Sequence, residues 1–312
     1  MRIHHIEPER RTLRGSFSNE FEPVLTIDSG DTVRFRTLDV AWGLEPYSPD
    51  GTRHEFPDRD PITDKGHAIC GPVEIRGAKP GMTLEIQINA VRPGKFGFTS
   101  AGGFPSEVNR SLGLDTGDVY RLDWTIDSEL MTAESQHGHQ IKLSPFVGIM
   151  GMPPAEPGIH PTTPPRITGG NIDCKELVAG STLYLPIAVD GGLFSVGDGH
   201  AVQGDGEVAN PALECPMECI DVTLTLREDM PLKAPRAKTN KGWITFGFNE
   251  DLDQAALMAL EGMVDLMGEH YGTERKEAVA LSSLLVDLHI SQIVNGVKGV
   301  HAILPHGAFS KK

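Results

Sequence analysis

Asp198 and His200 stand two residues apart in the run Gly197–Glu207, GDGHAVQGDGE, which also carries Gln203, Asp205 and Glu207. On an extended segment, side chains at that spacing face one point. Carboxylate oxygens and imidazole nitrogens on a tight backbone are what a divalent cation needs. A cation held there would acidify a bound water and drive hydrolysis. Asp173, in the upstream stretch GGNIDCKEL, is a third candidate ligand, and His67, in GHAICGPV, a fourth. The competing reading is a surface hairpin in which Gly and Asp serve only as turn formers. Asp173 and its neighbouring glycines weigh against that, because they form a second cluster of the same kind. The run lacks the ligand order of an EF-hand loop and the Lys-Ser/Thr of a phosphate loop.

Cys174 is the rival nucleophile. Asp173-Cys174-Lys175-Glu176 contains the residue types of a Cys-Glu-Lys amidase. Adjacent residues on a strand point to opposite faces, however, so the adjacency favours a structural cysteine. Cys215 and Cys219 lack the second pair that a zinc knuckle needs. His4-His5 and His137-Gly138-His139 lie in polar surroundings and read as solvent-facing.

Positioning such residues falls to strands. Thr83–Val91 alternates with Leu84, Ile86 and Ile88 on one face, and Asp221–Leu226 does the same with Val222, Leu224 and Leu226. Val24–Ile27 and Thr32–Thr37 read as a hairpin across Asp28-Ser29-Gly30-Asp31, and Val119–Ile126 and Leu183–Val189 as further strands. Met152–Arg166 holds six prolines, which exclude it from a central strand; it is read as a rigid loop over the site. From Asp251, an N-cap with Gln254 able to reach back, an Ala-, Leu- and Met-rich helix runs to about Glu269 and stops at Gly272. A second helix opens at Thr273 and carries Leu281, Leu284, Leu285, Leu288 and Ile290 as an apolar stripe up to Asn295-Gly296. The expectation is a mainly β protein with a C-terminal α+β part: a β-sandwich-like core with long loops and two C-terminal helices. Residues 1–230 form the β catalytic region, including loop 152–166, and residues 231–312 an α+β region packed on it.

Composition narrows the function. A formal charge of −15 argues against nucleic acid and against an anionic membrane surface. No apolar run approaches the roughly 20 residues of a membrane span, and the N-terminal MRIHHIEPERRTLRG has no apolar core of a secretory signal. The four cysteines are too sparse for a disulfide scaffold, so a cytoplasmic protein with reduced thiols is expected.

Six stretches carry a family resemblance: FEPVLTIDSGDTVRFRTLD (Phe21–Asp39), GPVEIRGAKPGMTLEIQI (Gly71–Ile88), SPFVGIMG (Ser144–Gly151), GGNIDCKEL (Gly169–Leu177), LFSVGDGHAVQGDGE (Leu193–Glu207) and VDLHISQIVNGVKGVHAILP (Val286–Pro305). Along nearly its whole length the chain resembles the acetamidase/formamidase family. The resemblance implies hydrolysis of short linear amides, formamide or acetamide, to ammonia and a carboxylate. Some relatives open a γ-lactam instead. It also implies a cytoplasmic homo-oligomer, a dimer or higher, with a divalent metal, zinc or calcium, at its centre. Asn171, Asp173, Asp198, His200, Gln203 and Glu207 occupy the matching motif positions. On this reading Asp173, Asp198 and His200, with His67 as an addition, hold the cation. Glu207 takes the water proton and returns it to the leaving nitrogen. Gln203, Asn171 or main-chain amides of the Gly-rich turns hold the developing oxyanion. The alternatives are a thiol amidase using Cys174, a γ-lactam hydrolase, a non-catalytic metal- or ligand-binding β module and a cupin-like metal enzyme.

Overall fold

Alternating apolar residues become strands wherever one face can be covered. Thr83–Pro93 buries Leu84, Ile86 and Ile88 and pairs antiparallel with Met217–Arg227, whose Val222 and Leu224 are buried beside them. These two strands lie inside a nine-stranded sheet. Its order is Ile3–Ile6, Asp31–Thr37, Met217–Arg227, Thr83–Pro93, Thr182–Pro186, Arg236–Lys238, Gly242–Asn249, Lys298–Pro305, Asp287–Gln292. A six-stranded sheet packs against it and has Phe146–Gly151 and Phe194–His200 as interior neighbours. Phe35 of the large sheet and Phe194 of the smaller one meet edge to face, with ring centroids 6.4 Å apart. A four-stranded sheet, built from Phe96–Ala101, Tyr120–Asp127, Thr132–Ser135 and Gln140–Lys142, stands to one side. The computed structural model describes residues 1–310, in which strands far outweigh the three helices. The mainly β fold with two C-terminal helices is therefore as expected.

Three local expectations are corrected. Leu25–Ile27 and Asp31–Thr37 do not form a hairpin. The first pairs in parallel with Ile69–Ile75 in the six-stranded sheet, and the second lies in the large sheet between Ile3–Ile6 and Met217–Arg227. The Asp28–Asp31 turn thus carries the chain from one layer to the other. The second C-terminal helix is shorter than its apolar stripe: it covers Arg275–Leu285, and Asp287–Gln292 is a strand paired with Lys298–Pro305. Leu288 and Ile290, two apart, suit a strand as well as a helix, and the available sheet edge decides. Finally, Gly197 and Gly199 are not turn glycines. They lie in a strand buried along its entire length, where a Cβ at Gly197 would fall 2.3 Å from Ala68 O and one at Gly199 2.5 Å from Met217 Cγ. Their role is close strand packing.

The helix over Leu252–Tyr271 starts and ends where its caps dictate. The Asp251 carboxylate accepts from Gln254 N, and Gly272 closes the helix in the left-handed conformation. The reciprocal capping box occurs instead on the next helix, between Glu274 and Glu277. Both helices cover the outer part of the large sheet, where Ala259, Met263 and Leu266 pack with Val300, Ala302 and Leu304. The strands of residues 231–310 continue the large sheet, and the helices build a second apolar cluster together with its outer strands.

The Pro-rich stretch joins Phe146–Gly151 to Gly169–Asn171. His160-Pro161 pairs with Ser16-Phe17, Thr162 Oγ1 accepts from the His67 main-chain N–H, and Thr163 O accepts from Asn171 Nδ2. It is a brace against two residues singled out in the sequence.

Candidate metal centre

Phe146–Gly151 and Phe194–His200 run antiparallel, with Val147 opposite Gly199 and Ile149 opposite Gly197. Asp198 therefore stands across from Gly148. The chain leaving Gly169–Asn171 folds back over the same spot, because the N–H groups of Ile172 and Asp173 both donate to Gly148 O, at 3.0 and 3.3 Å. The side chains meet above this glycine. A Cβ at Gly148 would lie 2.6 Å from Asp198 Oδ2, 2.7 Å from Asp173 Oδ1 and 2.9 Å from His200 Cε1. Glu207 comes from the turn after Gly206, which is pinned by the Gly206 N–H to Ser291 O.

Two overlapping donor sets result. Asp173, His200 and Glu207 form one, and Asp198, His200 and Glu214 the other; within each, the donor atoms lie within 4.8 Å of one another. That spacing lets all three reach an ion at the roughly 2.0–2.6 Å of zinc or calcium ligation. Glu214 is a member that the sequence reading missed. Its Oε1 accepts from Ala212 N at 2.9 Å and sits 3.3 Å from His200 Nε2. Asn295 was missed as well; it donates to Asp173 Oδ2 at 2.7 Å and fixes that carboxylate.

The electrostatics are those of a centre short of positive charge. Four carboxyl groups are buried around one imidazole. Burial pushes Asp173 up to about 8, with Asp198 and Glu214 adding to the rise against the pull of His200. Burial also raises Glu214 to about 7. Glu207 stands well above the usual carboxylate range, through burial and then the charge of Asp173. Burial works against ionisation of Asp198 too, but His200 outweighs it and holds this carboxyl at about 2. His200 is held well above the ordinary imidazole value by Glu214 and Asp198 despite its burial.

Many donors are unspent. Asp173 Oδ1, Asp198 Oδ1, both His200 ring nitrogens, Glu207 Oε2 and Glu214 Oε2 are buried without a hydrogen-bond partner. Buried polar atoms are ordinarily satisfied, so their concentration at one point makes this a candidate cation site. Three of these residues also carry backbone strain: Asp173, Asp198 and Glu207 have φ of 49°, 58° and 45°, where non-glycine residues are uncommon and functional sites are over-represented. Donor types, unspent atoms and the Cβ-free floor at Gly148 all fit a divalent cation.

His67 belongs to none of the donor sets, although its ring feels Asp198 and His200; burial lowers its pKa and its Nδ1 has no partner. Asn171 stands opposite Ile149, one residue along from Gly148, and is likewise outside the sets. The carboxamide donors of Asn171 and Gln203, expected at an oxyanion, are engaged in part or in full within the protein. One N–H of Asn171 Nδ2 goes to Thr163 O, and both of Gln203 Nε2 go to Asp173 O and Ser291 O. Cys174 packs in the main apolar core, where burial drives its thiol away from ionisation. Its neighbours pair elsewhere, Lys175 with Asp205 and Glu176 with Lys241. This placement removes the thiolate that a thiol amidase needs.

Asp205, His289 and His301 form a third donor set. Here a cation is already in place: Lys175 Nζ lies 2.8 Å from Asp205 Oδ2, which His289 Nδ1 also approaches at 3.1 Å. Next to the buried centre opens a cavity of about 440 Å³, walled by Trp124, Ile141, Val202, Val208 and Leu213 and including Gln203 and Glu207.

This β architecture has counterparts among known proteins. The Acetamidase/Formamidase family profile matches residues 4–161 and 156–311, and the chain belongs to that family. It is 53% identical over 250 residues to a formamidase of Methylophilus methylotrophus, a match covering 62% of this chain and 60% of that protein. The chain spans only about half to three fifths of the curated relatives it matches. The crystal structure of an acetamidase from Bacillus halodurans superposes with a TM-score of 0.82 at 28% identity, covering 98% of this chain and 97% of the other. A γ-lactamase from Delftia acidovorans shares the fold at a TM-score of 0.61 and 20% identity, over 97% of this chain and 90% of its own.

Proposed function

We propose that this protein hydrolyses short linear amides, formamide and acetamide among them, to ammonia and the carboxylate with the help of a divalent cation. The observation that carries the proposal is the convergence of Asp173, Asp198 and His200 over Gly148, with Glu207 and Glu214 joining them in two donor sets that share His200, all buried and with unspent donor atoms. Membership of the family and likeness to proteins named formamidase and acetamidase support the amide as substrate.

Asp173, Asp198, His200 and Glu214 would hold the cation. When bound, it supplies Lewis acidity, which lowers the pKa of a water from about 15.7 toward 7 and polarises a carbonyl. Glu207, on the cavity wall, takes the proton of the attacking water and returns it to the leaving nitrogen. Its pKa, raised by burial, makes its carboxylate the stronger proton acceptor. The apolar wall keeps bulk water off the reacting groups and sets specificity by size, where one methylene is worth roughly 1–3 kcal/mol. The test is ammonia release by the purified full chain. Formamide and acetamide should both yield ammonia, and no release from either refutes the assignment.

Charge crowding gives a pH signature. Asp173 and Glu214 have pKa values near 8 and 7 in the fold against about 4 when unfolded. Each carboxyl that is harder to ionise in the fold leaves stability intact below pH 4 and erodes it as pH climbs to about 8. Asp198, shifted the other way, contributes stability that is lost only below about pH 4. Treated with chelator, the protein should lose thermal stability between pH 5 and pH 8, and added cation should reduce that loss. A melting temperature that rises over this window would contradict the charge account.

The same reading includes a homo-oligomer in the cytoplasm. No helix among the described residues is long and apolar enough to cross a membrane. Leu284, Leu288 and Ile290 leave apolar surface exposed near the free edge of the large sheet, which suits contact with a second copy.

A further inference from the structure

Gln203 is held in a way that decides which of its atoms a substrate meets. Its Nε2 donates to two main-chain carbonyls, Asp173 O at 2.9 Å and Ser291 O at 3.2 Å. A carbonyl oxygen only accepts, so these contacts fix the orientation of the carboxamide. Both N–H donors are thereby spent. The Oε1 atom is buried and has no partner, and the residue lines the apolar cavity together with Glu207. A buried acceptor beside an apolar cavity is costly until a donor arrives. Glu207, on the same cavity wall, has an Oε2 that is likewise buried without a partner. A ligand entering here is therefore read by its N–H groups.

We propose that Gln203 Oε1 is the specificity-determining acceptor that receives an N–H of the substrate's amide nitrogen, and so selects amides over ketones and esters of the same shape. This rests on the amide-hydrolase reading. It inverts the oxyanion role, because the side chain orients the leaving nitrogen beside Glu207 and offers nothing to the carbonyl oxygen. A site built to hydrogen-bond a group rejects the isostere lacking it far more strongly than an apolar wall can.

Acetamide and acetone separate the cases, since they differ only in NH2 against CH3. Their affinities are to be measured by ligand-observed NMR on metal-loaded protein carrying Glu207→Gln, which stops turnover. The same measurement follows with Gln203→Met added, a swap of similar volume. Acetamide should bind more tightly than acetone in the first protein, and the preference should shrink by about ten- to a hundredfold in the second. An unchanged preference overturns the proposal, as does a failure of the first protein to prefer acetamide. Should Gln203→Met not fold, a crystal structure of the Glu207→Gln protein with acetamide decides. The amide nitrogen should lie within hydrogen-bond distance of Gln203 Oε1; a nitrogen pointing elsewhere overturns the proposal. Absence of ammonia release by the unmodified enzyme is a separate result: it removes the reaction, whereas the acetamide preference reports on Gln203 alone.

Discussion

Replacing Gly148 with alanine will lower kcat/KM for formamide by at least about a hundredfold although it alters no ligand. The new methyl would stand 2.6 Å from Asp198 Oδ2 and 2.7 Å from Asp173 Oδ1, in the space where their oxygens converge. Something must yield. The Gly148 main chain is held between two strands and receives the N–H groups of Ile172 and Asp173, so the carboxylates are what move. Displacements of about 1 Å in a reacting constellation can cost about a hundredfold in rate. Gly148 is not among the positive-φ glycines, so alanine brings no backbone strain there. The variant should fold, bind less cation and lose turnover together. Circular dichroism, metal analysis and ammonia release on one preparation check this. A folded Gly148→Ala protein with normal turnover would show that the space above this glycine is not the reaction centre.

The sequence was most legible where local chemistry decides structure. Leu84, Ile86 and Ile88 announce their buried face, and Asp251 and Gly272 announce the helix between them. The donors Asp173, Asp198, His200 and Glu207 were visible as carboxylates and an imidazole in glycine-dense stretches, and the fold brings them to one point. Gly148, Gly197 and Gly199 let strands and side chains approach closely, a role that depends on partners distant in sequence. Glu214 stayed hidden for the same reason. It reaches His200 because residues 213–215 lie along Ala201, His200 and Gly199 through long-range main-chain bonds. Its one local signal is a lone acid in the apolar run ALEC. The orientation of Gln203 depends on Ser291 O and Asp173 O, which no spacing rule connects. The false hairpin at Asp28–Asp31 shows the limit of turn chemistry: it predicts a reversal but not which sheet receives each arm.

The second large effect is expected from removing the cation. Without it, four buried carboxyl groups share one imidazole, and nothing within reach can acidify a water or polarise a carbonyl as a divalent ion does. Lewis-acid stabilisation of several kcal/mol corresponds to about a thousandfold in rate or more. The decisive measurement is formamide turnover by protein stripped with chelator, dialysed, and then titrated with zinc or calcium. The account predicts ammonia release falling to near background on stripping and returning as one of the ions is added back. Undiminished turnover by protein shown to be metal-free would contradict it.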